Sequence, residues 1–221
     1  RADARAKVTG AERFASDHCP PGLVWAGVRR AGVPHARLRG VESQAARAVP
    51  SVLAVLTARD VPGTNRQGIV HKDQPVLAED LVRHAGEAAV LVLAVDRAAL
   101  RRALALSELD LEPLPPPLDM EAALDPAAPS LHERGNCLLA AEIVAGQVDA
   151  AWADCAAVVE GEFHLPFQDH AFLETQNGVA QLLPDGVLTL TVSTQAPFRD
   201  RFEIAHALGL DVLRIRVICP Y

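Results

Sequence analysis

The stretch from Leu111 to Asn136, "LEPLPPPLDMEAALDPAAPSLHERGN", carries six prolines and constrains the fold more than any other feature of the sequence. Each proline fixes φ at about −65° and removes a backbone donor, so neither a long helix nor a central strand can run through it. The stretch predicts an ordered, extended linker that divides the 221 residues into two units.

The first unit reads as strands at Gly22–Arg30 and His35–Glu42, then a short helix over Ser43–Val49 that Pro50 stops. A strand at Ser51–Thr57 follows, and the Gly-, Pro-, Asn- and Asp-rich segment from Val61 to Pro75 reads as a long surface loop. Glu87–Asp96 is apolar enough for a buried strand. Arg97–Leu109 has helical periodicity, with Leu100, Ala103 and Leu104 on one face and Arg97, Arg101 and Arg102 on a solvated one. In the second unit the pattern predicts a short helix at Asp149–Cys155 and strands at Ala156–His164 and Ala171–Leu182. A Pro184-Asp185-Gly186 turn then leads into a strand at Val187–Val192. A helix opens at Pro197, runs through Ala207 and stops at Gly209, before a last strand at Val212–Ile218. The class is α+β.

Composition removes several functions. A net charge of −7 with no Lys/Arg-rich run argues against nucleic acid as a partner. Cys19, Cys137, Cys155 and Cys219 form no C-x-x-C pair and have no close histidine, so no metal site is spelled out locally. Scattered cysteines of this kind are mostly small apolar residues, which favours a reduced, cytoplasmic setting. The apolar run near Ala88–Val95 is too short to cross a bilayer. The chain begins at Arg1 rather than Met and ends directly after a strand pattern, so it reads as part of a longer polypeptide, and a signal peptide stays open. Neither a G-x-G-x-x-G nor a Walker pattern is present.

Two stretches concentrate polar chemistry. In "FQDHAFLETQNGVAQL" (residues 167–182), read as a strand, Gln168, His170, Phe172 and Glu174 share one face. A histidine and a carboxylate so placed could move a proton, although an exposed or ion-paired strand face is the commoner use of this pattern. In "VSTQAPF" (residues 192–198), Ser193, Thr194 and Gln195 precede the start of a helix. They suit either anion and carbonyl binding or simple capping, with capping favoured. Ser193 lacks the G-x-S-x-G elbow of a serine hydrolase.

The blocks "VTGAERFASD", "PHARLRGVE", "VLAVLTARDVPGTN", "DQPVLAEDLVRHAGEAAVLVLA", "LEPLP", "GN", "FQDHAFLETQ", "VSTQAPF" and "LRIRVICPY" occur in an order that resembles the molybdenum hydroxylases, the xanthine dehydrogenase and aldehyde oxidase family. The resemblance implies an α/β hammerhead domain over residues 1–115, a proline-rich linker over 116–136, and the beginning of a mixed α+β molybdenum-cofactor-binding domain over 137–221. It implies a molybdenum-molybdopterin cofactor that hydroxylates an aldehyde or N-heterocycle with water as oxygen source. Electrons would leave through iron–sulfur clusters to a flavin (FAD) on other domains or subunits. By this resemblance Gln168 occupies the place of a glutamine that hydrogen-bonds an oxygen ligand on molybdenum. His170, Phe172 and Glu174 shape the wall beside it, and Gln195 has a supporting place. The glycine-rich loop and the catalytic glutamate of the family are expected beyond Tyr221. No catalytic or metal-ligating residue is therefore assigned here, and the chain by itself is expected to hold no cofactor and to be inactive. The expected partners are the remaining molybdopterin-binding domain, iron–sulfur and flavin components, and a small aldehyde or heterocycle. A different reading is a non-catalytic subunit-docking module, with the Val61–Pro75 loop as its contact surface.

Overall fold

The computed structural model of the chain describes residues 3–171, 174 and 176–220. In order, its elements are α1 (Ala4–Thr9), β1 (Trp25–Arg30), β2 (Ala36–Glu42), α2 (Gln44–Arg47), β3 (Val52–Leu56), β4 (Leu81–Val82), β5 (Ala88–Ala94), α3 (Arg97–Leu106), β6 (Glu108–Pro113), α4 (Met120–Leu124), α5 (Val148–Ala151), β7 (Gly178–Leu182), β8 (Leu188–Val192), α6 (Pro197–Leu208) and β9 (Ile215–Ile218). Single 3-10 turns stand at Ala15–Asp17, Ala58–Asp60, Trp152–Asp154 and Val212–Arg214. This is the α+β class expected from the sequence.

Strand β5 is apolar throughout because it lies at the centre of a sheet ordered β1-β5-β3, antiparallel to both neighbours. A central strand covered on both faces has no polar side to show. Helix α3 starts where the Asp96 carboxylate accepts from the backbone N–H groups of Ala98 (2.9 Å) and Ala99 (2.8 Å). Its buried residues Ala99, Leu100 and Ala103 face the sheet. Gly27 of β1 lies beneath them: a Cβ there would meet Leu104 Cδ1 at 3.0 Å and both Leu100 methyl groups at 3.2 Å. Arg97 is not merely solvated, since its guanidinium lies 4.0 Å from the centroid of the Trp25 ring.

The helix ends at Leu106, three residues before the end that its periodicity predicts. The Ser107 hydroxyl donates to the Ala103 carbonyl (2.9 Å), and the chain leaves as β6, which pairs antiparallel with β2 in a second sheet ordered β4-β2-β6. Leu109 and Leu111 pack on the core while Glu108 and Glu112 point to water. The two sheets and α3 share one core, with Val55, Val82, Val90 and Val92 fully buried.

The proline-rich stretch is ordered but not wholly extended. Asp119 caps the short α4 through the Ala122 N–H (2.6 Å). Asn136 then ties the segment to itself, accepting from Leu131 N (2.8 Å) and donating to the carbonyls of Ala123 (3.0 Å) and Pro129 (3.1 Å). Arg83 Nε donates to the Leu131 carbonyl (2.7 Å), and His132 Nδ1 stands 3.0 Å from Asp73 Oδ2, so the first unit holds the segment in place.

In the second unit β7 and β8 form the expected hairpin, with Gly186 at φ 79° and the Asp185 carboxylate accepting from Val187 N (2.9 Å). Strands β8 and β9 are parallel and joined by α6, a crossover helix that runs from Pro197 to a left-handed Gly209 at φ 64°. The strand expected at Ala156–His164 does not form, and β7 begins at Gly178 rather than Ala171. Strand N–H and C=O groups need a neighbouring strand, and none of the described strands pairs with residues 156–171. Ala171 also takes a left-handed φ of 46°, which breaks an extended run just after His170. The side chains along this stretch are left uncovered, with Phe163, Leu165 and Phe167 at 86%, 87% and 107% of full exposure.

Candidate functional site

Parallel β8 and β9 end side by side, and the Ser193-Thr194-Gln195 block leads from the carboxyl end of β8 into α6. In sheets with parallel strands, ligands settle at this edge, where the chain leaves a strand for its crossover helix. Thr194 organises the turn. Its hydroxyl donates to the Asp200 carboxylate in the first turn of α6 and accepts from Ala196 N (3.0 Å), and its carbonyl lies 3.1 Å from Cys219 Sγ just beyond β9. Thr194 therefore ties the entry of α6 to its first turn, while the Gln195 side chain is exposed beside it.

Gln168 and His170 are exposed, in a stretch with no regular secondary structure. Their shared strand face is absent, because the strand itself is absent. Among the described residues no hydrogen bond or ion pair joins Gln168, His170 and Gln195. Phe172 lies outside the described residues.

Glu174 has a different surrounding from the one its spacing suggests. Its Oε1 accepts from the backbone N–H of Ala15 at 3.0 Å, and Ala15 is fully buried at the first position of the Ala15–Asp17 turn. The carboxylate thus satisfies a free N–H at the start of a 3-10 turn 159 residues earlier in the chain. This contact anchors the N-terminal turn.

Two cavities lie away from Gln168 and Gln195. One of about 430 Å³ opens between the N-terminal segment and the β7–β8 hairpin, lined by Arg13, His18, Gln181, Thr189 and Thr191 among others. The other, of about 360 Å³, lies between the Val61–Pro75 loop region and the proline-rich stretch, with His71, His84, Glu87, His132 and Arg134 on its wall. Their histidines and arginines come from segments distant in sequence, so spacing carries no signal of them. Among the described residues no group of three His, Cys, Asp or Glu side chains could hold a metal ion. The exposed amides of Gln168 and Gln195 are neutral hydrogen-bond donors that fit a group carrying its own metal. No helix among the described residues is long and apolar enough to cross a membrane.

Comparison with known proteins gives a consistent result along the chain. Residues 9–115 match the aldehyde oxidase and xanthine dehydrogenase a/b hammerhead domain, and residues 131–221 match the molybdopterin cofactor-binding domain. The chain is 38% identical over 218 residues to the nicotinate dehydrogenase large molybdopterin subunit of Eubacterium barkeri, covering 99% of this chain and 51% of that protein. It is likewise 38% identical to a probable xanthine dehydrogenase subunit of Bacillus subtilis, with 99% of this chain and 29% of that protein covered. Among solved structures, the aldehyde oxidoreductase of Desulfovibrio gigas superposes with a TM-score of 0.88 at 26% identity, over 99% of this chain and 26% of that one. The chain thus spans about half the length of the first of these relatives and less than a third of the other two. With both matches in the order that the sequence blocks suggested, the chain belongs to the xanthine dehydrogenase and aldehyde oxidase family of molybdenum hydroxylases.

Proposed function

We propose that this chain forms part of the molybdopterin-binding component of an oxidoreductase that hydroxylates a carbon of an aldehyde or N-heterocycle, taking the oxygen from water. The observation that carries the reading is the pair of collinear matches, a hammerhead domain followed by a molybdopterin cofactor-binding domain. Residues 1–115 are the hammerhead domain, 116–136 the linker, and 137–221 a portion of the cofactor domain. When bound, the molybdenum-molybdopterin group supplies the metal centre at which the carbon is oxidised. Gln168 would hold that group through its amide, His170 and Glu174 would help to shape the wall, and Gln195 would support it from the entry to α6.

The exposed apolar stretch agrees with this. From Leu138 to Phe167 the chain shows water a succession of large side chains, including Ile143, Val159, Phe163, Leu165 and Phe167. Each such residue gains about 1.5–3 kcal/mol on full burial, and stretches of this kind mark surfaces meant to be covered. The rest of the cofactor domain is the proposed cover, with iron–sulfur and flavin components beyond it. The three exposed cysteines, Cys19, Cys137 and Cys155, suit a reducing, cytoplasmic setting.

The test is to produce the chain joined to the remainder of its molybdopterin-binding component and to measure both bound molybdenum and isotope transfer from labelled water into an aldehyde and an N-heterocycle. Stoichiometric metal and label in the product support the reading. A folded protein with neither overturns it.

A further inference from the structure

The Val61–Pro75 loop does not stand free: it reaches across to the second unit and closes the end of α6. The termination of this helix at Gly209 uses the Leu210 N–H for the Ala205 carbonyl (2.9 Å) and the Gly209 N–H for the His206 carbonyl (3.2 Å). The loop adds two donors from outside, Gly63 N to the Ala207 carbonyl (3.0 Å) and Thr64 N to the His206 carbonyl (2.9 Å). Carbonyls in the last turn of a helix have no partner within the helix, so donors from a distant segment act as a cap supplied from elsewhere in the chain. The fit admits only glycine. A Cβ at position 63 would stand 2.0 Å from the His206 carbonyl oxygen, 2.5 Å from Gly209 N and 3.0 Å from the Ala207 oxygen, all backbone atoms that cannot swing aside. A third tie reinforces the contact, for Lys72 pairs with Glu203 of α6, whose other carboxylate oxygen is buried without a partner.

At its opposite end α6 is entered through the Thr194–Gln195 turn, and its 12 residues make a rod about 18 Å long between the two. We propose that Gly63 is a positioning residue: by seating the hammerhead loop on the C-terminal turn of α6, it fixes the helix and, through it, the Ser193–Gln195 block at the other end. The link to chemistry rests on the reading of that block as part of the cofactor site, whereas the mechanical coupling stands on the contacts alone.

Amide hydrogen exchange on the full chain separates the possibilities, comparing wild type with Gly63→Ala and with Arg66→Ala, whose side chain lies on the same loop and pairs with Glu79 rather than with α6. Gly63→Ala is expected to speed exchange at least tenfold in the last turn of α6 and also at Ala196, whose N–H is held by Thr194 Oγ1 at the far end. Arg66→Ala leaves both unchanged, and β5 stays protected in all three. Faster exchange in the last turn alone would reduce Gly63 to a local cap and overturn the proposal, as would unchanged exchange at both ends. If Gly63→Ala does not fold, Lys72→Met carries the test. It removes only the ion pair, and a severalfold acceleration at both ends supports the coupling while an unchanged rate refutes it. Because none of these readouts uses a cofactor, a failure of the coupling is distinguishable from a failure of molybdenum binding.

Discussion

Removal of the Glu174 carboxylate should loosen the N-terminal turn more than any chemistry. The bond from Ala15 N to Glu174 Oε1 is 3.0 Å long, its acceptor is charged, and its donor belongs to a fully buried residue that water does not reach. Hydrogen bonds to charged groups contribute about 1.5–3 kcal/mol, and a buried donor left without a partner costs a similar amount. Glu174→Ala is therefore expected to weaken the turn by about 2 kcal/mol, roughly a 30-fold drop in the protection of the Ala15 amide. Glu174→Gln keeps a carbonyl oxygen in place but loses the charge, and charge about doubles the strength of such a bond, so its cost should be about 1 kcal/mol, or about fivefold. Exchange at the single Ala15 amide, followed by NMR, measures the effect where it occurs and does not depend on the two units unfolding together. If Ala15 exchanges at the wild-type rate in Glu174→Ala, or if the glutamine variant loses as much protection as the alanine one, the anchoring role is refuted.

Two further predictions concern the first unit. Gly27→Val should cost about 2 kcal/mol through overpacking against Leu100 and Leu104, and Leu104→Ala in the same chain should return about 1 kcal/mol of that as a coupling energy in a urea-denaturation double-mutant cycle. Strict additivity would show that α3 does not rest on Gly27. The Asp60 carboxyl is held below its ordinary range, chiefly by the Thr57 N–H it accepts at 2.7 Å, with the Thr57 hydroxyl and the charge of Arg47 assisting against some desolvation. A lowered folded-state value means that its stabilisation is present above the ordinary aspartate range and is lost as the pH falls through the lowered value. Asp60→Ala should accordingly be less stable than wild type at neutral pH, and the gap from wild type should narrow in acid. A gap that widens in acid would contradict the assignment.

The sequence made local features legible and long-range ones obscure. The apolar run of β5, the Pro184–Gly186 turn and the Pro197 and Gly209 ends of α6 each depend on a few adjacent residues, and each stands where the pattern put it. Strand β6 was hidden because Glu108 and Leu109 read as the tail of a helix and Leu111 to Pro113 as the start of the linker, and only pairing with β2 decides for the strand. Residues 156–164 alternate well enough to suggest a strand, yet alternation sets only which way side chains point. Pairing needs a neighbour that the local sequence does not contain. For the same reason the contact of Glu174 with Ala15 was obscure, since nothing near Glu174 in sequence announces that partner. Family resemblance singled out Gln168 and Gln195 without reference to their surroundings, and both are exposed with their amides uncommitted.

Whether Gln168 addresses the molybdenum centre is decided by Gln168→Ala in the complete molybdopterin-loaded protein, read by metal content, the electron paramagnetic resonance spectrum of the half-reduced metal and turnover. Retained molybdenum, an altered spectrum and a kcat lower by about 10- to 100-fold are expected, the range found when a group that supports a metal's ligand is removed. A wild-type spectrum with unchanged turnover would contradict that role.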